Sequence, residues 1–348
     1  MTLVTRNSMV SEVEKTPKVS VILTVKNEER TIGSAIESVL KIHYPSYEVI
    51  LVDGGSEDRT ISIAKQYGVK VIQTRDSTPG QGRNVGIRIS SGKVIAFIDG
   101  DCYVARNDWL KNAVSLLRQD DVGGVGGPIV SVDQDTSLSK TLLDVLSTFF
   151  ANGGSPQFAR YSEQREVKSI SSCNSAYRRD TLEKAGLYSG DLRFCEDADL
   201  NHRIRKLGYR LIYSPDVVVK HDWKVRSLKS LFQYMLKYGA GRAVADKKYS
   251  YLFSLFHVVP CLALICVSLL LLLSFVFGGP FIYASLFLVV SYGALAFISA
   301  FLAAYRFRDK KMVVLAPATY FLAHVGYALG FILGLFSRDA NSRVGRQS

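Results

Sequence analysis

Two stretches of this chain, Tyr249 to Tyr305 and Met312 to Ser337, carry no Asp, Glu, Lys or Arg. Uncharged runs of that length leave few structural options. A bilayer core is crossed by about 20 apolar residues in a helix that satisfies its own backbone groups. The first run is long enough for two spans with a turn at Gly278-Gly279-Pro280, and the second for one more. Starting from the cytoplasmic side, 251–277 leads out and 281–305 returns. Arg306-Phe307-Arg308-Asp309-Lys310-Lys311 is then left inside, where the positive-inside rule places basic residues. Residues 312–336 lead out again. The arginines of the polar tail 338–348 fit that side less well, so a short or re-entrant last segment stays open. His257 and His324 fall inside spans and read as neutral histidines hydrogen-bonded between helices. No apolar run lies near the start: residues 1–17 read as a loose polar tail, with no cleavable signal peptide expected.

The net charge of +12 raises the question of nucleic acid. The position of the basic residues argues against it. Lys220 to Lys248 holds eight Lys or Arg against two Asp, immediately before the first span. Such a segment reads as cytoplasmic and as touching anionic lipid headgroups. Within 225–248, Leu228, Leu231, Phe232 and Met235 form one stripe, so an amphipathic interfacial helix is expected. The five cysteines are scattered, with neither a disulfide framework nor zinc-ligand spacing. Cys102 and Cys195 read as small apolar fillers.

Before the spans, apolar runs of strand length alternate with segments of helical spacing. Strands are expected at 19–25, 47–53, 69–73, 94–98, 209–213 and 217–219. Helices are expected at 31–41, 59–67, 82–90, 107–117 (capped by Asn107 or Asp108) and 180–186, with weak patterning from 131 to 168 and a loop around 153–156. Alternation of this kind implies an α/β domain with a parallel sheet covered on both faces. Its centre is Val94-Ile95-Ala96-Phe97-Ile98-Asp99-Gly100-Asp101, a strand buried on both faces that ends in two carboxylates. Ligands of open α/β sheets bind at that edge. Paired acids there point to a divalent cation held together with a phosphate, against the plainer reading of a solvated Asp-Gly turn.

Five motifs in order resemble the family 2 glycosyltransferases. Val21 to Glu29 looks like that family's first strand and turn, and Val52 to Thr60 like its nucleotide-contacting turn. Gly82-Arg83-Asn84-Val85-Gly86 precedes Asp99-Gly100-Asp101, which matches the family's DxD. Glu196-Asp197 with Asp199-Leu200 looks like its acidic acceptor-side motif. His221 stands where the family carries a C-terminal histidine. The resemblance covers about residues 18 to 225. It implies a GT-A fold, a Rossmann-like and mostly parallel sheet, over residues 18–224, followed by the 225–248 linker helix and a membrane domain over 249–337. There are departures. Gly54 replaces a second acid, Ser172-Cys173-Asn174-Ser175 lacks a glycine common before Ala176, and the sequence after Gln233 does not match the Gln-x-x-Arg-Trp of processive synthases. With no span expected ahead of the catalytic domain either, a processive channel is disfavoured.

The resemblance also implies roles. Asp101 would be the direct ligand of Mg²⁺ or Mn²⁺, with Asp99 on the ribose or a metal-bound water and His221 completing the metal or diphosphate site. Asp197 would be the general base, supported by Glu196 and Asp199, although an acidic run at a helix start is also what helix capping alone produces. Thr24, Asn27 and Glu28 lie at the tip of the first strand. Asp53 would accept from a base N–H, and Arg83 and Asn84 would contact the diphosphate or sugar. Arg178 and Arg179 are candidates for a lipid phosphate. The implied activity is inverting, metal-dependent transfer from a UDP- or GDP-sugar to a lipid-linked acceptor, a polyprenyl phosphate or lipid-linked glycan, at the cytoplasmic membrane face. The partners are the nucleotide sugar, that acceptor and membrane lipids, with no nucleic acid and the oligomeric state open. A degenerate membrane scaffold and a polysaccharide-elongating transferase are the alternatives.

Overall fold

The computed structural model describes residues 16–132, 137–153 and 160–337. Most of the expected 1–17 tail, most of the 153–156 loop and the 338–348 tail lie outside them. In chain order the elements are β1 (Val19–Val25), α1 (Ile32–Leu40), β2 (Tyr47–Asp53), α2 (Thr60–Gln66), β3 (Lys70–Gln73), α3 (Pro79–Ile89), β4 (Val94–Asp99), β5 (Cys102–Val104), α4 (Trp109–Leu117), β6 (Val122–Gly126) and β7 (Ile129–Ser131). There follow α5 (Ser137–Leu146), α6 (Phe149–Asn152), β8 (Arg165–Glu166), β9 (Asn174–Arg178), α7 (Arg179–Lys184), α8 (Glu196–Lys206), β10 (Arg210–Tyr213), β11 (Val219–His221), α9 (Leu228–Lys248), α10 (Leu255–Phe277), α11 (Pro280–Phe307) and α12 (Met312–Phe336).

These elements make two compact units. The first holds the chain up to Val130, Arg160–Asp191 and Glu196–Asp222; the second holds Ser131–Ala159, Leu192–Cys195 and the chain from Trp223 onward. The linear division at residue 224 does not anticipate that α5 folds with the second unit. Burial decides it: Leu142, Leu143 and Leu146 share an apolar cluster with Trp223, Leu231 and Phe331.

In the first unit the large sheet has the order β3-β2-β1-β4-β9-β6-β10-β8. Strands β3, β2, β1 and β4 run parallel, as do β6 and β10. β9 is antiparallel between β4 and β6, and β8 is antiparallel at the edge, so the sheet is mostly rather than wholly parallel. Apolar composition marks a strand as buried but does not fix its direction. Helices cover both faces: Ile32, Ile36 and Val39 of α1 pack on one, and Ile87, Leu200 and Ile204 of α3 and α8 on the other. A small sheet, β5-β11-β7, sits beside it, with His221 directly opposite Cys102.

Local chemistry moved some boundaries. α3 starts at Pro79 rather than Gly82 because Thr78 and Gln81 form a reciprocal capping box with Pro79 at the first helical position. Asp108 stands at the start of α4 but does not cap it with its side chain; both carboxylate oxygens bind Arg106, at 2.9 and 2.8 Å.

In the second unit α10, α11 and α12 are long and apolar enough to cross a membrane, with 23, 28 and 25 residues. At 1.5 Å per residue even the shortest reaches about 34 Å, enough for a hydrocarbon core of about 30 Å. Gly278 and Gly279 turn the chain at φ +60° and +51°, a region side chains avoid, and Pro280 opens α11. α9 begins at Leu228 behind the Ser227–Ser230 box. Its expected apolar stripe has a protein partner in α12, with Leu231 and Met235 buried. The two helices approach so closely that a Cβ on Gly330 would lie 2.0 Å from the Leu236 carbonyl oxygen. His324 is held as expected: Nε2 donates to the Phe150 carbonyl (2.8 Å), which leaves Nδ1 to accept from Tyr292 Oη (3.0 Å). His257 Nδ1 lies 2.7 Å from Asp246 and 3.3 Å from Arg242 Nε.

Candidate active site

The site is built at the end of β4. Asp99 closes the strand, with Oδ1 2.9 Å from Arg83 Nη2 and 3.4 Å from Thr24 Oγ1 on β1. Gly100 follows because β1 crowds it: a Cβ there would lie 2.6 Å from Val25 Cγ1. Asp101 then turns toward β11, and its Oδ2 lies 3.3 Å from His221 Nε2. Burial pushes the His221 imidazole down, but the adjacent Asp101 carboxylate more than offsets this and holds it up at about 10. The Cys102 thiol points at Asp101 Oδ1 from 3.7 Å, and the Asp101 carbonyl accepts from the Asp222 amide at 2.9 Å. Asp222 is in turn paired with Arg30 at 2.9 Å.

Arg83 joins this corner to the start of α8. Its side chain is 3% exposed, and Nη1 lies 2.6 Å from Glu196 Oε1. The guanidinium carbon sits 5.4 Å from the Tyr188 ring centre. Burial pushes the Glu196 carboxyl up to about 7; Arg83 pulls it down and neighbouring Asp197 pushes it up. Asn84 clasps the Tyr188 backbone, donating to its carbonyl (2.8 Å) and accepting from its amide (3.0 Å). Asn84 therefore fixes the Tyr188 loop. Asp197, partly exposed, accepts from the Ala198 amide at 2.7 Å through Oδ1.

The other candidate residues make contacts within the protein. Asp199 is fully buried, paired with Arg203 at 2.7 Å and hydrogen-bonded by Ser189, so it anchors α8. Asp53 is also fully buried, and its carboxylate accepts from the amides of Gly55 (3.0 Å) and Ser56 (3.1 Å). These contacts hold the turn. Asn27 takes φ +55° and ties the first turn to the second, accepting from the Glu57 amide (2.9 Å) while its own amide donates to Ser56 Oγ (2.8 Å). Glu28 accepts from Thr31 Oγ1 at 3.0 Å. Arg178 pairs with Asp180 (3.1 Å), and Arg179 donates to the carbonyls of Gly92, Ile87 and Ser90 at 2.7 to 3.0 Å. The Arg83–Glu196 bridge, Tyr188 and the Cys102–His221 pairing went unread because each joins residues far apart in the chain.

The model of glycosyl transferase family 2 matches residues 20–186. Glycosyltransferase AglE of Haloferax volcanii is 30% identical over 242 residues, 65% of this chain and 73% of that protein. The Methanococcus voltae protein named dolichyl N-acetyl-alpha-D-glucosaminyl phosphate 3-beta-D-2,3-diacetamido-2,3-dideoxy-beta-D-glucuronosyltransferase is 22% identical over 336 residues, 92% of this chain and 98% of its own length. Against two Bacillus subtilis glycosyltransferases the chain spans only 52% and 55% of their length. Among solved structures, mannosyltransferase PcManGT from Pyrobaculum calidifontis, in complex with GDP-Man and Mn²⁺, matches with a TM-score of 0.57 at 20% identity, over 93% of this chain and 88% of that one. The fold is of the GT-A type. With its acids at the sheet edge and these relatives, the chain belongs to glycosyl transferase family 2 and is a glycosyltransferase.

Proposed function

We propose that this glycosyltransferase moves a sugar, with inversion, from a UDP- or GDP-sugar to a lipid-linked acceptor, a polyprenyl phosphate or lipid-linked glycan, at the cytoplasmic face of the cell membrane. The observation that carries the reading is the Arg83 bridge. One buried guanidinium binds both Asp99 and Glu196, so the strand-end acids and the helix-start acids share one site. A donor diphosphate and an acceptor hydroxyl need that proximity.

Asp101 and His221 would hold Mg²⁺ or Mn²⁺, with Asp99 beside them. An oxygen and an imidazole nitrogen 3.3 Å apart fit two ligands of one ion. When bound, the ion supplies charge neutralisation for the diphosphate leaving group. Arg83 fixes Glu196 and Asp99 and adds positive charge beside the leaving group. Glu196, occupied by Arg83, positions the turn into α8. Asp197 accepts the proton of the acceptor hydroxyl as it attacks, and a single base with direct attack inverts the anomeric centre. The three long apolar helices support a membrane-confined acceptor, since anchoring raises its effective concentration. The name of the Methanococcus voltae relative, which specifies a dolichyl-phosphate-linked sugar, is in line with that acceptor class.

The test is a thermal shift of the detergent-solubilised chain with UDP, GDP, CDP and ADP, each with Mn²⁺ and with chelator. A ligand that binds only the folded state raises the melting temperature. The expected result is a metal-dependent shift with UDP or GDP that Asp101→Ala removes. No shift with any nucleotide would overturn the reading.

A further inference from the structure

We propose that the corner formed by Asp101, Cys102 and His221 is also a site for a thiophilic divalent cation, Zn²⁺ being the ion its donor set selects. A hard-ion site at this edge has no use for a thiol, because Mg²⁺ and Mn²⁺ favour carboxylate and water. Yet Cys102 faces the same space: one donor atom from each of the three residues lies within 4.8 Å of the other two. The geometry is built in by the strand pairing, since β5 and β11 place Cys102 and His221 directly opposite each other. Asp101 immediately precedes Cys102 and turns one oxygen to each neighbour, Oδ2 to the imidazole at 3.3 Å and Oδ1 to the thiol at 3.7 Å.

Tetrahedral zinc sets the expected spacing. Bonds of about 2.1 Å to nitrogen and oxygen and about 2.3 Å to sulfur put N and O about 3.4 Å apart, and S and O about 3.6 Å apart. The imidazole lies 3.3 Å from Oδ2 and the thiol 3.7 Å from Oδ1, so a turn of the Asp101 carboxylate that brings one oxygen to face both donors completes the ligand set. Thiolate and imidazole together select Zn²⁺ over Mg²⁺ and Mn²⁺, and the affinity order for divalent ions runs the same way. Binding releases two protons, one from the Cys102 thiol and one from the His221 imidazolium, puts a sulfur–metal and a nitrogen–metal bond in their place, and leaves one coordination position for water or phosphate. Linear spacing hides the site, because its ligands come from two strands 119 positions apart (221 − 102). Occupancy does not depend on the function proposed above. Only its consequence, displacement of the hard ion and loss of transfer, rests on that reading.

Cobalt(II) reports the site without any turnover. The full chain in detergent is titrated with Co²⁺ and followed by absorption, with the exposed Cys266 replaced by serine throughout. The expected result is a saturable thiolate-to-cobalt charge-transfer band, displaced by stoichiometric Zn²⁺ and not by excess Mg²⁺. Cys102→Ser should abolish the band, and Cys173→Ser, which removes the neighbouring buried thiol, should leave it. His221→Gln keeps the thiol and should weaken Co²⁺ at least tenfold, which covers the case where Cys102→Ser misfolds. Absence of a band, a band that survives Cys102→Ser, or unchanged affinity in His221→Gln would each overturn the assignment.

Discussion

Arg83→Met removes the cation that the site is assembled around. Glu196 is the more deeply placed partner, with a side chain 11% exposed against 32% for Asp99. Removing one member of a buried pair costs about 3–5 kcal/mol, whereas the more exposed Asp99 side contributes at most about 1 kcal/mol. The effect has a pH signature. The Glu196 carboxyl is raised in the fold, from 4.5 to about 7, by burial, with Arg83 opposing the rise. A carboxyl raised in this way contributes stability that is complete below its unfolded pKa and is lost as pH rises through 7. Without Arg83 it is raised further, each unit being worth about 1.4 kcal/mol. At pH 5 Glu196 is neutral in both proteins and the deficit is small. At pH 8 the wild type keeps an ion pair that the variant lacks. For a unit of this size about 3 kcal/mol corresponds to a melting temperature lower by roughly 6–12 °C at pH 8, and by less than half that at pH 5. Melts of both proteins in detergent across pH 5–8 measure it. Equal deficits at the two ends would refute Glu196 as the partner that matters, and no deficit anywhere would refute the buried bridge.

Asp197→Asn should lower kcat by about 10²–10⁴-fold while nucleotide binding persists, and a wild-type rate would remove it as base. Gly100→Ala forces a Cβ to 2.6 Å from Val25, so overpacking of about 1–3 kcal/mol should lower the melting temperature and weaken metal-dependent binding together; an unchanged melt would show that β1 yields. Gly330→Ala, which meets the Leu236 backbone, should cost the helix pair its stability in detergent. Gly293→Ala on α11, with open space around it, should be neutral, and equal behaviour of the two would contradict the close α9–α12 approach.

Much of this molecule is legible in one dimension because its physics is local. The uncharged runs mark α10 to α12, since each helix must satisfy its own backbone and length alone decides whether it spans. The five-residue apolar run before Asp99 marks a strand buried on both faces, and the paired acids at its end mark the working edge. Thr78-Pro79-Gly80-Gln81 spells the start of α3 as a local capping signal.

What only the tertiary structure decided is which charges are spent on each other. Asp53, Asp199, Asn84, Arg178 and Arg179 carry the residue types of a ligand site, and each bonds to backbone or a partner within the protein. Arg83 meets Glu196 across 113 positions, and Cys102 meets His221 only because two short strands pair antiparallel. Sequence determines what each residue can donate, accept or bury. The partner of a buried charge is set by chain reversals that bring distant segments together, and burial makes that partner, rather than water, the group that fixes its chemistry.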